Sequence, residues 1–339
     1  MIIKWSILSK YRNELYGISI LWIILFHGLQ FKNFSLSNEL KILDGIIKHG
    51  NCGVEIFLFL TGISLYYSLK RHDNLRRFYL NRLKRIFLPL LIIDGSYWTY
   101  IYIIKENNIL KFIENITFYS FWVKGNQQVW FIALIILLYL IYPILFKFIL
   151  ENRKINKLNY IICLCISIYV FLLLFKYFDY QWYKLIEIAI TRIPVFLLGC
   201  YCGILSYENR VISVSVKTIS LIIFIIGIGY FYIKPISLVQ NFRIPYLFIG
   251  PSITVWMAIC LEIIENKNIN IFLRDWGGVS LELYLSHIVL RRIFLNSNFY
   301  SDSAVANFHK YLIFVMFFSF VVSKCVNLVE KYIKGILQK

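Results

Sequence analysis

The chain has 339 residues, 59% of them hydrophobic and 16% charged, with a net charge of +18 and a mean hydropathy of +0.68. Soluble domains carry about 45–50% apolar residues, so this surplus excludes an ordinary soluble globule. The basic excess does not indicate a nucleic-acid partner, because it follows the order of the apolar segments instead of forming one patch.

Ten apolar segments read as membrane helices: 16–31, 54–69, 86–104, 129–146, 158–175, 185–205, 218–233, 244–261, 278–290 and 311–323. The first is not a secretory signal, since no small-residue cleavage site follows it and nine further spans do. With the N-terminus in the cytoplasm, 22 of the 36 Lys and Arg residues fall on cytoplasmic segments and 13 on outer ones, with Arg192 inside a span. That bias places both termini in the cytoplasm. The expected fold is an all-α integral membrane protein of about ten transmembrane helices. It forms one domain over 1–339 with no appended soluble domain, since the loops between spans are short.

Between the second and third spans, KRHDNLRRFYLNRLKRIFLP carries Arg76, Arg77, Arg82, Lys84 and Arg85 among apolar residues. It reads as an amphipathic helix on the inner surface leading into the third span. The first five spans do not repeat in the last five, which argues against transporters built from paired repeats. The seven cysteines lie in or beside spans without Cys-x-x-Cys spacing, so neither a disulfide framework nor a metal site is expected.

Ionisable groups inside spans are costly, about 2.5–3.5 kcal/mol each on insertion scales, and mark function. Glu55, Arg192 and His287 lie well inside their segments, and His27 stands about four residues from the outer end of the first. Glu187, Asp94 and Glu282 are nearer the interfaces. On the expected topology the first group occupies the middle and outer half of the membrane and shares one polar cavity, while Arg82 and Arg85 lie at the opposite face. Each residue also has a plainer structural reading. Arg192 can be a cation paired with Glu187 or a neighbouring helix, Arg82 and Arg85 a positive-inside anchor, and Gly199 and Gly203 a packing motif.

The ordered motifs resemble acyltransferase family 3. ELYGISILWIILFH resembles its first span, GVEIFLFLTGISL its second, FYLNRLKRIFLP its basic entry to the third and VWFIALIILLYLIYP its Trp-Phe span. RIPVFLLGCYCG and GGVSLELYLSH resemble two later elements. The resemblance implies an O-acyltransferase of the plasma (inner) membrane that moves an acyl group, usually acetyl from acetyl-CoA, to a carbohydrate hydroxyl of a surface polysaccharide or glycolipid. It implies no metal, and as partners acyl-CoA, the carbohydrate or glycolipid acceptor and the lipid bilayer, with no nucleic acid. Carried over by position, His27, Glu55, Arg192 and His287 are catalytic, and Arg82 and Arg85 meet the acyl-CoA. Many relatives hold an arginine where this chain has Tyr16, with Arg12 one turn earlier as its substitute. The expected roles are His27 as base, Glu55 orienting its ring, and Arg192 or His287 holding the oxyanion or the sugar. Two other readings stand beside this one: a transporter or flippase of a lipid-linked saccharide, and an inactive partner of a polymer synthase.

Overall fold

The computed structural model describes residues 2–29, 41–71, 74–152, 156–230, 243–295 and 303–337. Among these residues no strand forms, and the sole β pairing is an isolated bridge between Lys4 and Val211. A chain this apolar has to satisfy its backbone polar groups within each segment once it enters lipid, and helices do so.

The helices that position the site are α1 (Arg12–Leu29), α2 (Gly53–Arg71), α3 (Leu75–Leu90), α4 (Trp130–Leu145), α5 (Lys157–Phe178), α6 (Tyr180–Ile190), α7 (Ile193–Tyr207), α8 (Val214–Tyr230), α9 (Ile244–Ile264), α10 (Lys267–Gly278), α11 (Ser280–Leu295) and α12 (Ala304–Leu337). Seven described helical stretches are long and apolar enough to cross a membrane: Gly50–Arg71, Leu75–Lys105, Trp130–Leu150, Lys157–Phe178, Tyr180–Tyr207, Ile244–Ile264 and Val305–Ile333. The other three expected runs are also helical, as α1, α8 and α11, but they are shorter or more polar than a full apolar span. Residues 30–31 and 231–233, the expected ends of two runs, lie outside the described residues.

The basic segment begins α3, where the Asn74 side chain caps the helix by accepting from the Arg77 N–H. Helical backbone continues to Lys105, but Pro89 cannot donate its hydrogen bond and a π-helical turn follows at Leu91–Gly95. In the same way Pro143 of α4 precedes a π turn at Phe146–Leu150.

Close glycine contacts set the spacing around α2. It runs antiparallel to α1, with Arg12 beside Ser64, Tyr16 stacked on Phe57 and Gly53 against the Ser19 carbonyl. It runs parallel to α7, where Gly62 faces the Phe196 carbonyl and Gly199 faces the Phe59 carbonyl. A Cβ on Gly199 would stand 2.1 Å from the Phe59 oxygen, which is backbone and cannot yield. The small-residue spacing at Gly199 and Gly203 thus serves packing. We expect Gly199→Leu to cost about 1–3 kcal/mol through overpacking. A thermal midpoint in detergent equal to the wild type's would contradict that close approach.

Candidate active site

Arg192 is the last residue before α7 and Arg243 the last before α9; each is followed by Ile-Pro, with the proline in the first turn. The two stretches read Arg-Ile-Pro-Val-Phe-Leu-Leu-Gly, 192–199, and Arg-Ile-Pro-Tyr-Leu-Phe-Ile-Gly, 243–250. Their glycines meet the same helix, Gly199 at the Phe59 carbonyl and Gly250 at the Glu55 Cβ. Two copies of one local motif therefore bring two guanidinium groups onto one side chain of α2.

That side chain is Glu55, which is fully buried. Its Oε1 accepts from Arg243 Nε at 2.9 Å and Nη2 at 2.7 Å. Arg192 Nε stands 3.2 Å from the same oxygen, in an ion pair whose angle makes no hydrogen bond. Arg192 also donates from Nη1 to the Ile188 carbonyl and lies over the Trp130 ring, 4.5 Å from its centroid. Arg243 lies 4.1 Å over Tyr246. One carboxylate thus holds two cations whose orientations are further fixed by aromatic faces.

Across the same space, the His27 and His287 rings have centroids 5.2 Å apart, and Tyr284 meets His287 edge-on at 5.2 Å. His287 is fully buried, with Nδ1 3.1 Å from the Leu283 carbonyl. A carbonyl can only accept, so Nδ1 carries the hydrogen and Nε2 the lone pair. Nε2 has no hydrogen-bond partner among the described residues.

The expected link between Glu55 and His27 is not formed. The Glu55 Oε1 is held by the arginines, and its Oε2 has no hydrogen-bond partner among the described residues. The cation held closest to Glu55 is Arg243, which hydropathy leaves in the loop between the segments 218–233 and 244–261. Its signal was the second Arg-Ile-Pro…Gly, a local repeat that a comparison of whole halves of the chain passes over. Arg192 takes the neighbouring-helix option, pairing with Glu55 on α2 and not with Glu187.

Of these residues, His27, Trp130, Arg192, Arg243 and Tyr284 line a cavity of about 770 Å³, a size typical of small-ligand sites. At the other end of the same helices lies a second cavity, of about 250 Å³, walled by Arg12, Tyr16, Arg82, Arg85 and, again, Tyr284. Tyr284 is the residue common to both walls. Arg82 is half-buried there, stacked over Phe78 and Tyr139, while Arg85 is exposed. The eight residues singled out in the sequence thus separate into two groups. His27 and Arg192 line the first cavity, with Glu55 buried behind Arg192 and Arg243 and His287 buried beside His27, while Arg12, Tyr16, Arg82 and Arg85 line the second. Along α1 the two sets lie 15 residues apart from Arg12 to His27, about 22 Å of helix.

Asp94 adds a buried carboxylate behind the first cavity, in the π turn after Pro89. Gln128 Nε2 donates to its Oδ1 at 3.4 Å, and Oδ2 has no hydrogen-bond partner among the described residues. Glu282, by contrast, takes no part in either wall.

The family model described as an acyltransferase domain matches residues 15–326, nearly the whole chain. No curated protein and no solved structure matches it.

Proposed function

The chain belongs to acyltransferase family 3, and from that membership we propose that this multi-pass membrane acyltransferase is an O-acetyltransferase of the plasma membrane. Its donor is acetyl-CoA and its acceptor a hydroxyl of a cell-surface polysaccharide or glycolipid. The observation that carries this reading is the pair of cavities that share Tyr284, the smaller lined by Arg12, Arg82 and Arg85 and the larger by His27 and Arg192.

Arg82, Arg85 and Arg12 draw the donor's phosphates to the smaller cavity, and the acyl-bearing arm extends past Tyr284 toward His27. Tyr16, where many relatives hold arginine, stacks on Phe57 and shapes the wall of that cavity without adding charge. His27 takes the proton from the acceptor hydroxyl as its oxygen attacks the thioester carbonyl. The tetrahedral intermediate collapses with cleavage of the C–S bond, the oxygen ester forms, and His27 returns the proton to the departing thiolate. Arg192, steadied by Glu55 and Trp130, stabilises the oxyanion. Glu55 acts through the arginines, a different part from the imidazole partner expected of it, because its bonded oxygen faces them. His287 backs His27 with a fixed ring.

The direct test is transfer of radiolabelled acetyl from acetyl-CoA by the purified chain in nanodiscs, with envelope glycan as acceptor. We expect Arg82→Gln/Arg85→Gln to raise the KM for acetyl-CoA by roughly tenfold or more, each lost charge-assisted contact being worth about 1.5–3 kcal/mol, with a smaller effect on kcat. Labelled acetyl never leaving acetyl-CoA in the wild type would defeat the proposal.

A further inference from the structure

The larger cavity carries more positive charge than acetyl transfer needs. Four arginines line it, Arg192, Arg243, Arg291 and Arg292, against one lining carboxylate, Glu187. Glu55 beneath the floor is shared between Arg192 and Arg243 and can balance only one of them. Arg291 and Arg292 have no ion-pair partner among the described residues, and Arg291 Nε is buried there without a hydrogen-bond acceptor. The charge of Arg292 acts on Asp94, but the two form no ion pair among those residues.

Topology does not account for this excess. These arginines sit at the end of the bundle expected to be outer, where the positive-inside rule favours few cations. Arg292 lies in the last turn of α11, where the helix dipole favours cations, with Arg291 just before it. That accounts for their position on the helix, yet it does not turn both toward one cavity, nor does it accompany the arginines at the starts of α7 and α9. Guanidinium groups converging on a concave, half-enclosed space make a site for a carboxylate or a phosphate, whose paired oxygens match the fork of an arginine.

We propose that the larger cavity takes an anionic saccharide, so that the acceptor of this enzyme carries a carboxylate or a phosphate group near the hydroxyl to be acylated. The inference rests on the acyltransferase reading for the word acceptor, but the anion site itself is testable without any acyl donor.

The experiment uses the full chain in zwitterionic nanodiscs and follows Trp130 and total tryptophan fluorescence as three probes are titrated: trigalacturonate, its carboxyl-reduced neutral counterpart, and a trimer of glycerol phosphate. The expected result is saturable binding of at least one acidic probe, roughly tenfold or more tighter than the neutral one and weakening as salt is added. Which acidic probe binds distinguishes carboxylate from phosphate. Arg291→Gln/Arg292→Gln should remove most of that preference. If the double variant fails to fold, Arg292→Gln alone and the wild-type salt dependence carry the test.

Equal affinity for the neutral probe overturns the inference. So does displacement of the acidic probe by coenzyme A, which would give these arginines to the donor's phosphates, or its displacement by phosphatidylglycerol in the disc, which would give them to lipid headgroups. Acidic binding without any consumption of acetyl-CoA would sink the acyltransferase reading and leave the anion site standing. Acetyl transfer that favours neutral glycans as much as acidic ones would do the reverse.

Discussion

Glu55→Gln is expected to destabilise the protein by about 3–5 kcal/mol, the cost of leaving a buried ion pair without one partner, and to depress transfer along with it. The amide can still accept one hydrogen bond, but Arg192 and Arg243 would then face each other with no negative charge between them. The arginines start two helices that also pack through Gly199 and Gly250 onto α2, so their repulsion works directly against the closest helix contacts of the site. Glu55→Asp should fail as well, because a side chain shorter by one methylene cannot reach both guanidinium groups. Glu55→Gln combined with Arg243→Gln should recover part of the lost stability, since it removes the excess cation as well. Thermal unfolding followed in detergent, as a double-mutant cycle, reads this coupling. A single Glu55→Gln protein as stable and active as the wild type would show that the carboxylate holds nothing.

His27→Ala should lower kcat by about two to four orders of magnitude, the usual contribution of a positioned general base, while thermal stability and acetyl-CoA binding stay near wild type. The ring is half-buried at the cavity wall, tilted against Phe26 of its own helix and His287 of α11. His287→Gln separates the two imidazoles. Its Nδ1 bond to Leu283 is within its own helix, so the substitution should lower the rate less than loss of His27 does and leave the fold in place. If His287→Gln abolished transfer and His27→Ala did not, the two roles would be exchanged.

Much of this arrangement could be read before any coordinates. The cost of a charge in lipid is enough to single out Glu55, Arg192 and His287 from their surroundings, and the order of the spans puts them with His27 at one end. Periodicity and the basic run give α3 and its face. The pairing inside the cluster could not be read, because it depends on how closely helices approach. Gly199 lets α7 approach the backbone of α2 at Phe59 and Gly250 lets α9 approach the Glu55 Cβ, and that closeness, not sequence spacing, decides that Glu55 meets arginines in place of a histidine. Arg243 escaped for a related reason: it stands just outside an apolar run, so hydropathy assigns it to a loop, while the bundle folds it back over Glu55. The division of the polar residues between two cavities, with Tyr284 in both walls, is likewise a property of packing that no single segment carries.

The central claim is that donor and acceptor enter from opposite ends of the bundle and meet beside Tyr284. Its most direct test reconstitutes the chain in one orientation in sealed liposomes, with labelled acetyl-CoA on one side and acceptor glycan on the other. Acetylated glycan is expected when the donor is on the side of Arg82 and Arg85 and the acceptor on the side of His27, and none with the two exchanged. Product formed only when donor and acceptor share the His27 side would contradict it.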